Sequence, residues 1–204
     1  ACAPFRRLHL CDHNSGKYQN YNSNARHKLL AEVCYAAKYE GDLIKTHYTK
    51  HEQTNPDTKS QICTVLARSF ADIGDIVRGK DLFRGNQQEK TKREQLENKL
   101  KDIFAKIYNE VTNGRSKSSA SALQKRYKDD TPDFLKLRED WWNANRETVW
   151  EAITCGAGTS AQYFRPTCSG GKNPTHKKCT CVSGDPPTYF DYVPQFLRWF
   201  EEWA

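Results

Sequence analysis

A chain of 204 residues with 37% hydrophobic content is long enough for one domain, or two small ones, with a real core. Its 12% aromatic content, with five Trp and ten Tyr, leaves to large rings much of the burial that aliphatic side chains usually supply. Thirty-two basic against 25 acidic residues give a net charge of +7, which attracts polyanions (nucleic acid, sulfated glycan, an acidic cell surface) without choosing among them, while the absence of any apolar run near the roughly 18 residues of a membrane span excludes a spanning helix within this stretch.

Residues 1–23 are turn-rich and carry the first two cysteines. A first helix is predicted from Asn24 to Tyr39, burying Leu30, Val33, Cys34 and Ala37 and stopping at Gly41. After a polar loop through Asn55-Pro56, Thr58-Lys59-Ser60-Gln61 has the form of a capping box. The second helix follows with Ile62, Leu66, Phe70, Ile73 and Val77 at steps of three and four. A third, over 88–111, buries Leu96, Leu100, Ile103, Phe104, Ile107 and Val111, and Asn113-Gly114 ends it. The segment "GRSKSSASA", 114–122, reads as a flexible surface loop. Thr131-Pro132 starts a fourth helix, Thr as N-cap, that runs to about Cys155 with Phe134, Leu137, Trp141, Thr148 and Ala152 on one face and Trp142, Val149 and Ile153 beside it. Residues 156–188, rich in Gly, Pro and Cys, read as irregular structure stapled by disulfides. A last helix starts near Pro194 and carries Phe196, Leu197, Phe200 and Trp203. No strand pattern appears, so the fold class is all-α.

Four features bear on chemistry. The stretch "ARSFADIGDIVRGKDLF", 67–83, puts Gly74 and Gly79 inside or beside a helix, where each costs about 1 kcal/mol relative to Ala and so needs a structural reason. Its Asp72 and Asp75 share a helix face as paired catalytic carboxylates would, yet Arg68 and Lys80 at similar spacing make helix ion pairs the simpler reading. Gly74 to Lys80 also spells GxxxxGK, but Asp81 stands where a phosphate loop needs Ser or Thr, and no strand precedes it. Cys168, His176, Cys179 and Cys181 have zinc-ligand chemistry; with eight cysteines in all, disulfides in an oxidising compartment are the better reading, and no metal or cofactor is expected. The six His are scattered, no GxSxG is present, and no cysteine sits in a protease signature. The remaining feature is 114–128, where Arg115, Lys117, Lys125, Arg126 and Lys128 occur with no acid among them. That concentration of charge makes them the candidate polyanion or receptor site; nucleic acid would fit it, but the disulfides place the chain outside the cell.

Five blocks in order, "ACAPFRRLHLC", "LLAEVCYAAKYEG", "ARSFADIGDIVRGKDLF", "LREDWWNANRETVWEAITC" and "DYVPQFLRWFEEWA", resemble the homology blocks of Duffy-binding-like adhesion domains, nearest to the alpha class of the malaria parasite erythrocyte membrane protein 1 family. The resemblance spans nearly the whole chain. It implies a disulfide-linked helix bundle with long irregular loops, displayed on the infected red cell as part of a larger membrane-anchored protein. It implies adhesion to erythrocyte or endothelial receptors, rosetting through sulfated glycans, complement receptor or blood-group sugars, and recognition by antibodies. The membrane enters only through parts of the parent outside this stretch, which opens without Met and reads as an excised piece. Family subdomains correspond to 1–23 (end of the first), 24–188 (the second with its Cys/Gly/Pro-rich loop) and 189–204 (truncated start of the third). In the family, Cys2 and Cys11 pair with cysteines further upstream, and stretches such as 12–23, 45–57, 112–130 and 156–188 vary.

Two function classes follow: a receptor-binding adhesion module, and a small secreted disulfide-rich enzyme with an unrecognised site. The adhesion reading makes 67–83 scaffold, its glycines admitting a neighbouring helix and its charges locking the turn after its own. The matching apolar stripes predict that Trp141 or Trp142, together with Trp150, pack on the 62–77 helix. Cys34 and Cys155, each on the apolar face of a long helix, are expected to bridge, and Cys63 to reach one of Cys168, Cys179 or Cys181.

Overall fold

The computed structural model describes residues 2–4, 7, 24–54, 61–83, 85–113 and 117–203. Five helices form the body: α1 Ala25–Thr54, α2 Ile62–Arg78, α3 Gln87–Asn113, α4 Lys117–Arg126 and α5 Leu135–Ile153. A loop with one irregular helical turn at Cys168–Gly171 and a short 3-10 turn, Phe190–Tyr192, leads to α6, Gln195–Trp203. Among the described residues there is no named β-strand, in keeping with the all-α expectation.

The amphipathic α2 is the hub. Leu66, Phe70, Ile73 and Val77 are buried as the three–four spacing requires, but so are Ser69, Asp72, Asp75 and Arg78, so the helix is enclosed on nearly every side. Phe70 lies between Trp142 and Trp150 of α5, both ring centroids 5.1 Å away, one tilted and one edge-on. The third ring, Trp141, turns instead to α3, meeting Phe104 edge-on at 6.2 Å. Gly74 explains itself in this packing: a Cβ there would stand 2.7 Å from the Trp142 indole, so only a bare α-carbon lets the helices close.

Several elements depart from the sequence reading, each for a reason outside its own segment. Gly41 does not stop the first helix, which runs on to Thr54. It is the point where α1 crosses α5, a Cβ there falling 2.0 Å from the Ile153 carbonyl oxygen. The fourth long helix begins at Leu135 rather than at Thr131-Pro132. Its cap is the Asp130 carboxylate, which accepts from the Lys136 and Leu137 backbone N–H groups at 2.8 Å each. It ends at Ile153, leaving Cys155 just past the terminus. Lys117–Arg126 is helical, within the stretch read as a loop. Of the expected capping box only Gln61 is described; it is the N-cap without a side-chain bond, and its backbone N–H donates to the Tyr48 phenol oxygen at 2.8 Å.

Two disulfides hold the irregular region. Cys63 at the start of α2 reaches Cys179, and Cys168 closes on Cys181. With its ends 116 positions apart, the first removes on the order of 4–5 kcal/mol of loop entropy from the unfolded chain, in the chain-entropy account. The expected Cys34–Cys155 bridge does not form: both thiols are free. Cys34 lies level with the Thr148 carbonyl of α5, its Sγ 3.9 Å away, while Cys155 follows seven residues on, about 10 Å along a helix axis. Beside Cys155 stands the next-but-one turn of α1, with Asp42 and Lys45 against Gly156.

Candidate functional site

The two charge-bearing stretches singled out in the sequence fold into opposite environments. In 67–83 the charges are buried and paired, but with partners far away in sequence. Asp72 and Asp75 both bind the Arg198 guanidinium of α6, at 2.7 and 2.6 Å. Arg78, fully enclosed, holds Asp75 at 2.9 Å, Glu139 at 3.2 Å and the Gly74 and Asp191 carbonyl oxygens. The expected intrahelical pairing of Arg68 and Lys80 is replaced: Arg68 goes to Glu201 at 3.0 Å and Lys80 to Glu139 at 2.5 Å. Burial pushes the Asp75 carboxyl up to about 6, with Asp72 adding repulsion, against the opposing pull of Arg198 and Arg78.

The turn after α2 is fixed by the same means. Gly79 adopts φ +71°, a left-handed C-cap that a side chain would strain. The Gly79 and Lys80 N–H groups are already spent on the Ile76 and Asp75 carbonyls, which removes the phosphate-loop reading. Over this terminus sits Arg138 of α5, wholly buried, donating to the Val77 and Ile76 carbonyls at 2.7 and 3.1 Å and gripping Glu97 of α3 with two further bonds. A cation there satisfies orphan carbonyls and complements the helix dipole. Asp191 completes the frame, accepting from Trp142 Nε1 at 2.9 Å and from the Arg146 fork at 2.8 Å twice. Sequence reasoning missed Arg138, Arg146, Asp191 and Arg198; no spacing rule could have found ion-pair partners 41 to 126 positions apart. Nor can the cysteine cluster hold zinc as read, because Cys168, Cys179 and Cys181 are all consumed in disulfides.

The basic candidates lie on and after α4. Arg115 falls outside the described residues, and Lys117 opens the helix. Lys125, Arg126 and Lys128 are exposed. The absence of an acid holds along the chain but fails in space. Arg126 forks onto Asp140 of α5 with two bonds of 2.7 Å, and the Tyr127 hydroxyl donates to the same carboxylate at 2.7 Å. Arg126 holds Asp140 below the usual carboxylate range; burial, with the bond to Asp140, pushes the Tyr127 phenol up to about 12. The remaining field of this face therefore rests on its lysines.

Among the described residues the charges of 67–83 form a buried ionic frame, exposed charge lies outside it on and after α4, and the whole is a helical, disulfide-stapled domain. The Duffy binding domain profile matches residues 1–198, and the chain belongs to that family, in the alpha class of the PfEMP1 domains. The whole chain aligns with the solved NTS-DBL1(alpha-1) domain of PfEMP1 from the Plasmodium falciparum varO strain at 45% identity and a TM-score of 0.76, spanning 43% of that chain. Against the double domain of NTS-DBL1-alpha and CIDR-gamma from the same strain the values are 46%, 0.77 and 27%. The PfEMP1 IT4var13 DBLbeta domain, solved bound to ICAM-1, aligns over the whole chain at 35% identity with a TM-score of 0.65 and a 44% share of its own length. The chain thus spans less than half the length of these solved relatives. No curated protein matches it. PfEMP1 domains of this type are extracellular parts of a larger parasite protein on infected erythrocytes. Among the described residues no helix is long and apolar enough to cross a membrane.

Proposed function

We propose that this chain is a receptor-binding adhesion domain of the infected red cell surface, and that it engages a sulfated glycan through the basic face of α4. Membership of the alpha class carries the first part; a DBLbeta relative captured on ICAM-1 supports a host-surface receptor in general. The second part rests on exposure. Lys125 and Lys128 are open to solvent, and Arg115 and Lys117 adjoin them in sequence, whereas the charges of 68–81 are spent on the frame. Arg126 contributes less, its guanidinium being committed to Asp140. Erythrocyte or endothelial receptors, complement receptor and blood-group sugars belong to the same reading as further partners. Division into the end of one subdomain (1–23), a second (24–188) and the opening of a third (189–204) is part of the proposal, with α6 clamped to α2 by Arg198 as its first joint.

Immobilised heparin and intact red cells test it. The quadruple variant Arg115→Glu, Lys117→Glu, Lys125→Glu and Lys128→Glu should bind both at least tenfold more weakly and with a shallower dependence on salt, since screening acts within about 8 Å at physiological ionic strength. Unchanged heparin binding across all salt concentrations would place the polyanion contact elsewhere.

A further inference from the structure

A cleft of about 1050 Å³ opens where α1, α2 and α3 meet. Leu29, Val33, Ile73, Leu96, Leu100 and Ile103 line its apolar wall. At one end stands a small built cluster. Asp81 accepts from Arg7 at 2.5 Å and from Arg93 at 2.6 Å, both on the same oxygen, while its other oxygen accepts from Gln195 at 2.8 Å and more distantly from the Phe83 backbone N–H. The Phe83 ring has a guanidinium over it twice, Arg7 at 4.8 Å and Arg93 at 5.4 Å. One carboxylate thus answers two cations. It has no bonding capacity left, and Arg7 Nε and Arg93 Nη1 are buried without a hydrogen-bond partner. Arg7 is 6% exposed and lines the cleft, as does Arg93. The other acids on the walls are engaged: Glu89 with the Asn86 N–H, Glu97 with Arg138, Asp133 with Lys101, and Glu32 is partnered too. Burial lowers the Arg93 pKa, with Arg7 adding repulsion, against the opposing pull of Asp81 and Glu97.

A buried donor without an acceptor is costly, and two on adjacent guanidiniums ask for a second planar anion. The apolar wall asks for a hydrocarbon body behind it. We propose that this cleft binds an aliphatic monocarboxylate, its carboxylate taken by Arg7 and Arg93 and its chain laid along α1, α2 and α3. Both N–H groups are shielded from water, so binding turns the Arg93 side chain, which is 27% exposed and the freer of the two. The aliphatic tail displaces water from Leu29, Val33 and Leu100, and each methylene buried strengthens binding about fourfold.

Calorimetric titration of the 204-residue chain with octanoate, decanoate and 1-octanol tests this. Decanoate should saturate at one per chain and bind about fifteenfold tighter than octanoate, and 1-octanol should bind at least tenfold more weakly than octanoate. Arg93→Gln, which leaves Arg7 and Asp81 as a one-to-one pair, should weaken decanoate about tenfold with no loss of thermal stability. Leu43→Glu, at an exposed position on the cleft wall, should weaken it as well by placing an acid beside the tail. Octanol binding as tightly as octanoate, full decanoate affinity in Arg93→Gln, or no saturable binding would each overturn the assignment.

Discussion

The α2 frame and the α4 face carry comparable charge and handle it in opposite ways. Around α2, Asp72, Asp75, Arg78 and Arg198 lie at or below 5% side-chain exposure, the two acids bonded to α6 and the two arginines each to two elements besides their own. On and just after α4, Lys125 and Lys128 stand in water, and the Arg126–Asp140 pair is at the surface. The difference shows that charge density along a chain says little about the field that reaches solvent. A dense run can be silent because α6, α5 and the 3-10 turn supply its counter-ions. A sparser run can keep its field where side chains such as Lys125 and Lys128 stay exposed.

The contrast breaks first at Arg198. Arg198→Ala removes the guanidinium that the buried Asp72 and Asp75 share, leaving Asp75 to Arg78 and Asp72 to the Gln195 amide, and should cost about 3–5 kcal/mol in urea denaturation, and Arg78→Ala a similar amount. Trp142→Ala, which empties the space between Phe70 and Gly74, should cost about 3–5 kcal/mol as well, and Gly74→Ala about 1–3 kcal/mol by overpacking the same contact. Removing the Cys63–Cys179 bridge by double Ala substitution should cost about 2–5 kcal/mol. Alkylation without reductant should label Cys155 readily and Cys34 slowly, because burial, with Glu151 nearby, raises the Cys34 thiol to about 11; a Cys34–Cys155 cross-linked peptide would contradict the register of α1 on α5.

Acid sharpens the comparison with a smaller effect. Asp75 has its folded pKa, near 6, above the ordinary 3.8. The folded state therefore takes up this proton first, and stability should rise modestly as pH falls from about 7 to 4. Asp140 and Glu139 are shifted the other way: Arg126 pulls Asp140 down, and for Glu139 the bonds from Lys80 and Arg78 outweigh burial. Their contribution is present above their ordinary values near 4 and is lost as pH falls below them. Thermal melts should pass through a maximum near pH 5, and Asp75→Asn should flatten the limb between 7 and 5. A monotonic fall in stability from pH 7 downward would refute the Asp75 assignment. The smallest effect belongs to Asp140→Asn, a partly exposed pair whose loss should barely move the melting temperature.

What the sequence made legible was whatever one helix decides alone. The apolar stripe of α2, the buried face of α3, the irregular 156–188 region and the reach of Cys63 into it were all readable from spacing and composition. The glycine of 67–83 that admits a helix was readable too, because its cost demanded a reason. Gly41 was misread since a stop and a close crossing look alike until Ile153 is seen beside it. The Asp130 cap was hidden by its distance, five residues before the helix it serves. Arg126 looked unpaired because Asp140 approaches from another helix. In α6 the four apolar residues named from the sequence, Phe196, Leu197, Phe200 and Trp203, are 47–68% exposed, while Gln195, Arg198 and Trp199 face inward: polar anchoring to Asp72, Asp75 and Asp81 overrode hydrophobic pattern.

The division of labour between frame and face is tested most directly by measuring heparin affinity and melting temperature together in two variants, Lys125→Glu/Lys128→Glu and Arg78→Ala. The lysine variant should lose heparin affinity severalfold while melting within about a degree of the parent. Arg78→Ala should melt several degrees lower yet, at a temperature where it is fully folded, bind heparin as the parent does. The opposite pattern, with the lysine variant binding normally and the folded Arg78 variant failing to bind, would contradict the account.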